Sequence, residues 1–148
     1  MRDFHMLESL LAQRHSCRAF LNRPVERALV ERVVETAQKV PSWCNSQPWQ
    51  LIVLSHAETN RLRDRFAAAD VATPNPDVTF PERYIGAYKT RRSECGWQLY
   101  DAVGVKKGDR VASAQQMMEN FRFFGAPHVA FVTSPVALGA YGILDCGA

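Results

Sequence analysis

Only two segments of this 148-residue chain have the character of β-strands. Trp49 to Leu54 (WQLIVL) and His128 to Thr133 (HVAFVT) are short apolar runs next to prolines, the pattern of strands covered on both faces. Two strands are too few for a sheet that is stable by itself, so other elements must complete it. The remaining periodic segments read as helices.

Met6, Leu7, Leu10 and Leu11 follow helical spacing in a first helix that runs to Gln13. In the second, Leu29, Val30, Val33, Val34 and Ala37 share a face, with Arg27 and Glu31 paired four apart, and it must stop before Pro41. Ser55 and Glu58 have the spacing of a capping box and open a third helix that reaches about Ala69. Residues Thr73 to Pro81, with three prolines, form a loop. Helical stretches over Tyr84–Val103 and Arg110–Phe123 follow, broken by Lys107-Gly108-Asp109. Leu138 to Ala148 looks like the opening of another helix, with Gly142, Gly147 and Ala148 suited to close backbone approach. The chain stops inside that pattern at Asp145-Cys146-Gly147-Ala148, so the expectation is an N-terminal piece of a longer protein, a single domain over 1–148.

Composition is that of a globular chain, with 47% hydrophobic and 22% charged residues. A compact protein of 16.7 kDa would expose roughly 7,600 Å² of the ~24,000 Å² of its unfolded chain, burying about 69%, which predicts a genuine core. The net charge of +3 is spread among alternating signs, which argues against nucleic-acid binding. Lys89, Arg91 and Arg92 are the nearest approach to a basic run and read either as a solvated helix face or as an anion-contacting surface. Cys17, Cys44, Cys95 and Cys146 form no C-x-x-C pair and have no zinc spacing, so they are expected to be reduced thiols in a cytoplasmic protein. No apolar stretch approaches the length of a membrane span.

Two loops carry the chemistry. Arg14, His15, Ser16 and Arg18 lie within five residues at a helix end. Two guanidiniums and a hydroxyl there suit a phosphate, though an ordinary surface turn has the same composition. Ser42, Asn45 and Gln47 lie between Pro41 and Pro48, beside Trp43 and Trp49. Amides offer donors and acceptors to the edge of a heterocycle, and they equally serve to bind backbone. Together the loops suggest a phosphorylated aromatic ligand such as a nucleotide or flavin. There is no G-x-G-x-x-G, P-loop or G-x-S-x-G, and nothing local makes Cys44 a nucleophile with His15 or His128. His128 reads as structural.

RHSCRAF (Arg14–Phe20) followed by PSWCNSQPW (Pro41–Trp49) resembles the nitroreductase family of FMN-dependent oxidoreductases. The resemblance continues through YIGAYKTRRSECGWQLYDAVGVKKGDR, NFRFFGAPHVAFV and LGAYGILDCGA, spanning nearly the whole chain. It implies an α+β fold with a central, mostly antiparallel sheet flanked by helices, incomplete here at the C-terminus. It also implies a homodimer with FMN at the interface. By that resemblance Arg14, Ser16 and Arg18 match the motif holding the FMN phosphate and ribityl chain, with His15 in the same turn. Pro41, Ser42, Trp43 and Asn45 match the loop that reaches the partner's flavin, and Gln47 lies beside it. Arg122 falls near a basic flavin contact, with Asn120 a further candidate, while Trp43 or Phe124 would shape an acceptor pocket or pack a core. The implied activity passes hydride from NADH or NADPH through the flavin, in ping-pong fashion, to a nitroaromatic, quinone or similar electrophile. No protein nucleophile is needed. The rival reading is a non-catalytic flavin-binding or interaction fragment.

Overall fold

The computed structural model describes residues 2–69 and 75–148. Helix α1 spans Arg2–Gln13 and α2 spans Arg27–Ala37, followed by a short 3-10 turn at Trp43–Asn45. Strand β1 (Gln50–Val53) leads to α3 (His56–Ala68). Thr73 and Pro74 of the expected loop lie outside the described residues, and Asn75 to Ile85 has no regular element. Helices α4 (Gly86–Ala102) and α5 (Arg110–Met118), strand β2 (Ala130–Thr133) and helix α6 (Gly139–Gly147) complete the order. This is an α+β fold.

The start of α3 follows from its sequence. Ser55 Oγ accepts the Glu58 N–H at 3.3 Å, and Glu58 Oε2 accepts the Ser55 N–H at 3.0 Å and its hydroxyl at 2.8 Å. Those hydrogen bonds from Ser55 hold the Glu58 carboxyl below its ordinary range. Asp109 likewise caps α5 by accepting the Ala112 N–H at 2.9 Å. Helix α5 stops five residues before the expected Phe123, because the chain turns through Phe123, Phe124 and Gly125 with φ of 54°, 51° and 78°. Arg63 of α3 secures that turn: its Nε donates to the Arg122 carbonyl and its Nη2 to the Ala126 carbonyl, both at 2.9 Å, and Nη1 donates to Asn60 Oδ1. Phe66 adds aromatic contacts to Phe121 and Phe123, each at 5.8 Å.

The two strands pair antiparallel, with Gln50 opposite Thr133, Leu51 opposite Val132, Ile52 opposite Phe131 and Val53 opposite Ala130. Leu51, Val53, Ala130 and Val132 face α2 across a groove of about 640 Å³ lined by Leu29, Val30 and Val34. Ile52 and Phe131 point the other way, and Ile52 is 53% exposed. Among the described residues both strands are therefore edges, and their residues remain exposed, which corrects the expectation of covered, central strands.

The predicted core is corrected as well. The described structure exposes 12,814 Å², leaving only roughly half of the unfolded surface buried. Leu7, Leu10 and Leu11 of α1 and Leu29 and Val33 of α2 remain in solvent. Their helical spacing is right, but among the described residues no element packs over those stripes. Burial is confined to small knots, including Val105, Ala126, Thr59 and Asp145. Close approach occurs at Gly142, where a Cβ would run into Ser134 Oγ, whereas Gly147 faces open space.

Candidate functional site

The segment after α1 belongs to no regular element and is exposed from Arg14 to Arg18. The Arg14 N–H prolongs the last helical turn by donating to the Leu10 carbonyl at 3.1 Å. His15 Nδ1 lies 3.0 Å from the Gln13 carbonyl, and Arg18 Nη1 donates to the Ser16 carbonyl at 3.3 Å. Among the described residues no carboxylate pairs with Arg14 or Arg18, and the Ser16 hydroxyl has no partner. Two cations and a hydroxyl are thus available to an anion.

The Phe20 N–H donates to the Phe124 carbonyl at 3.1 Å, docking this segment on the turn that follows α5. As a result Arg18 and Arg122 line one small cavity of about 350 Å³, together with Arg63 and Glu119. Arg122 Nε sits 3.4 Å from Glu119 Oε1 in an exposed pair, which contributes little. Asn120 Nδ2 donates to the Met117 carbonyl at 2.8 Å, so its amide serves the end of α5. Arg18 also borders a cleft of about 600 Å³ with Lys89, Arg92, Trp97 and Tyr100.

The loop between the prolines is built differently. Cys44, Asn45 and Gln47 all have positive φ, at 51°, 53° and 44°. Such conformations cost a non-glycine residue roughly 1 kcal/mol or more each, so surrounding contacts must impose them. The contacts come from α6. Asp145, only 5% exposed, accepts the Ser42 hydroxyl at 2.6 Å and the Trp43 N–H at 3.2 Å. Ser42 Oγ in turn accepts the Gln47 N–H at 2.8 Å. Trp43 stacks on Tyr141 with ring centroids 4.9 Å apart. Gln47 Nε2 donates to Asn45 Oδ1 at 2.7 Å, which leaves Asn45 Nδ2 and Gln47 Oε1 for a ligand on two exposed side chains.

Arg14, His15 and Ser16 share no described cavity with Ser42, Asn45 or Gln47. The structure thus joins Arg18 with Arg122, keeps Pro41, Ser42, Trp43, Asn45 and Gln47 as a second cluster, and brings no residue of one to the other. Sequence reasoning missed Asp145, Tyr141 and Arg63. Asp145 had one signal: it is the only charged residue between Leu138 and Ala148, in an otherwise apolar helix. His128 is structural as expected, linking Val25 and Leu54. Phe124 is half-buried and belongs to the turn. Among the described residues no helix is long and apolar enough to cross a membrane.

The Nitroreductase family profile matches residues 11–148. Over 86% of the chain, the sequence is 34% identical to nitroreductase NfnB of Mycolicibacterium smegmatis, covering 56% of that protein. It is 30% identical to a 4-nitrobenzoate reductase of Pseudomonas putida, with 95% of this chain and 62% of that one aligned. The fold matches the crystal structure of the FMN and NADPH-dependent nitroreductase NfnB from sphigopyxis sp. strain HMH with a TM-score of 0.86 at 34% identity. That match covers 95% of this chain and 65% of the other. The structure of NfnB from Mycobacterium smegmatis in complex with NADPH gives 0.80 at 30% identity. The chain therefore spans about 56–65% of the length of these relatives.

Proposed function

The chain belongs to the nitroreductase family, and on that premise we propose that it is the flavin-binding part of an FMN-dependent NAD(P)H oxidoreductase. The observation that carries this reading is the cationic segment Arg14–Arg18, without a carboxylate partner among the described residues, in a chain whose second polar loop offers, among those residues, an unused amide donor and acceptor. A phosphate needs the first, and the edge of an isoalloxazine ring needs the second.

Arg14, Ser16 and Arg18 bind the FMN phosphate and ribityl chain, with His15 shaping the turn and Arg122 adding positive charge beside Arg18. Asn45 and Gln47 read the ring edge from their paired amides. The Ser42 hydroxyl is already committed to Asp145 and to the Gln47 N–H, so Ser42, Pro41 and Trp43 act by shaping the loop. Because the two clusters share no cavity in one chain, the reading assigns them to opposite subunits of a homodimer. FMN supplies hydride transfer between a nicotinamide donor and an aromatic acceptor, alternately occupying one site. The residues of this chain bind and orient, and the bared stripes of α1 and α2 give a partner something apolar to cover. Nitroaromatics and quinones are the acceptors that suit such a site. A cytoplasmic location, where NAD(P)H is plentiful, suits this reading.

Replacing Arg14 and Arg18 together by alanine tests the reading through flavin-fluorescence titration. Loss of two charge-assisted contacts should weaken FMN binding by about a hundredfold. Unchanged affinity overturns the assignment. Steady NAD(P)H oxidation with a nitroarene separates an enzyme from a flavin-binding module without turnover.

A further inference from the structure

We propose that Asp145 is a positioning residue that latches the 41–47 loop to α6 and thereby sets the geometry of its ligand-facing amides. The ligand half of this inference rests on the flavin reading above; the latch does not.

A buried carboxylate is costly unless donors surround it. Each side-chain hydrogen bond of Asp145 among the described residues comes from the loop: Ser42 Oγ at 2.6 Å, the Trp43 N–H at 3.2 Å and Ser46 Oγ at 3.5 Å. Among the described residues no cation pairs with it. If the loop swings away, the carboxylate loses each of these donors at once, so loop and carboxylate hold each other in place.

The hydrogen bond to Trp43 is a helix cap delivered from a distant element. The 3-10 turn Trp43–Asn45 has Ser42 at its N-cap position, yet the Ser42 side chain does not cap it. Its hydroxyl is used instead as a relay, donating to Asp145 and accepting from the Gln47 N–H. Asp145 therefore fixes both flanks of the segment holding the three positive-φ residues, through Trp43 on one side and through Ser42 and Gln47 on the other. Four residues earlier on the same face of α6, Tyr141 stacks on Trp43 and blocks sliding. In this backbone geometry Gln47 Nε2 donates to Asn45 Oδ1.

The test combines hydrogen exchange at the amides of Trp43 to Gln47 with FMN titration of the purified protein, for wild type, Asp145→Ala, Asp145→Asn and Ser42→Ala. Asp145→Ala should speed exchange at these amides and weaken FMN binding, each about tenfold or more. Asp145→Asn keeps one acceptor for the Trp43 N–H and should give a partial effect, a rescue that bulk destabilisation does not predict. If Asp145→Ala fails to fold, the near-isosteric Asp145→Asn and Ser42→Ala decide the question. Unchanged loop exchange in them overturns the latch, and faster exchange with unchanged FMN affinity overturns its role in positioning. Wild-type protein that takes up no FMN defeats the flavin reading alone, since the exchange arm still judges the latch.

Discussion

The imidazole of His128 accepts the backbone N–H of Val25 at 3.0 Å, 103 residues away in sequence. A backbone N–H can only donate, so Nε2 carries the lone pair and Nδ1 carries the proton, which it donates to the Leu54 carbonyl at 3.1 Å. One neutral ring thus ties the approach to α2 to the ends of both strands. His128→Phe keeps the ring and loses both bonds, and should lower stability by about 1–3 kcal/mol in urea titration. A wild-type midpoint would show that the ring acts by packing alone.

Gly142 has no room for a side chain. A Cβ there meets Ser134 Oγ, with Ser134 Cβ and Leu138 Cβ at 3.2 Å. Gly142→Ala should cost about 1–3 kcal/mol through overpacking. Adding Ser134→Ala removes the hydroxyl and should restore part of that loss, so the two changes are non-additive in thermal denaturation.

The capping box of α3 gives a pH dependence with a definite sign. Folding holds the Glu58 carboxyl below its ordinary value, chiefly through the Ser55 hydrogen bonds. The native state is therefore favoured above the unfolded pKa, and this contribution disappears as pH falls through the lower folded value. Glu58→Gln should abolish that part of the acid dependence, seen as a smaller gap from wild type at pH 3 than at pH 7. Ser55→Ala at neutral pH should cost about 1 kcal/mol.

Arg63 binds two carbonyls of the turn after α5 and the Asn60 amide with a single planar group. Lysine cannot reproduce that fork. Arg63→Lys should therefore resemble Arg63→Ala, each losing about 2–3 kcal/mol. Near-wild-type stability of Arg63→Lys would mean that charge alone suffices.

Local chemistry was legible in the sequence. The capping box at Ser55, the break at Lys107-Gly108-Asp109 and the end of α2 before Pro41 all depend on residues within a few positions of each other. What needed coordinates was every relation across long separations. The partner of Ser42, Asp145, lies 103 residues on and could not be read from the loop itself. Helix α5 read five residues too long because Arg63, from another helix, holds the chain in a turn at Phe123 to Gly125. Periodicity also named the apolar stripes of α1 and α2 correctly, but it carries no information about whether anything lies over them. Within the candidate site, residue types were readable and their division into two separate clusters was not.

The breadth of exposed surface has a calorimetric consequence. Heat capacity rises on unfolding because apolar groups become hydrated, by about 2 kcal/mol/K for a typical chain of 148 residues. Here 12,814 Å² is already in contact with solvent before unfolding begins. The increment should shrink to about two-thirds of the usual value, in proportion to the surface newly wetted. Stability would then change with temperature along a shallow, weakly curved profile, and any surface covered by a second subunit would steepen it.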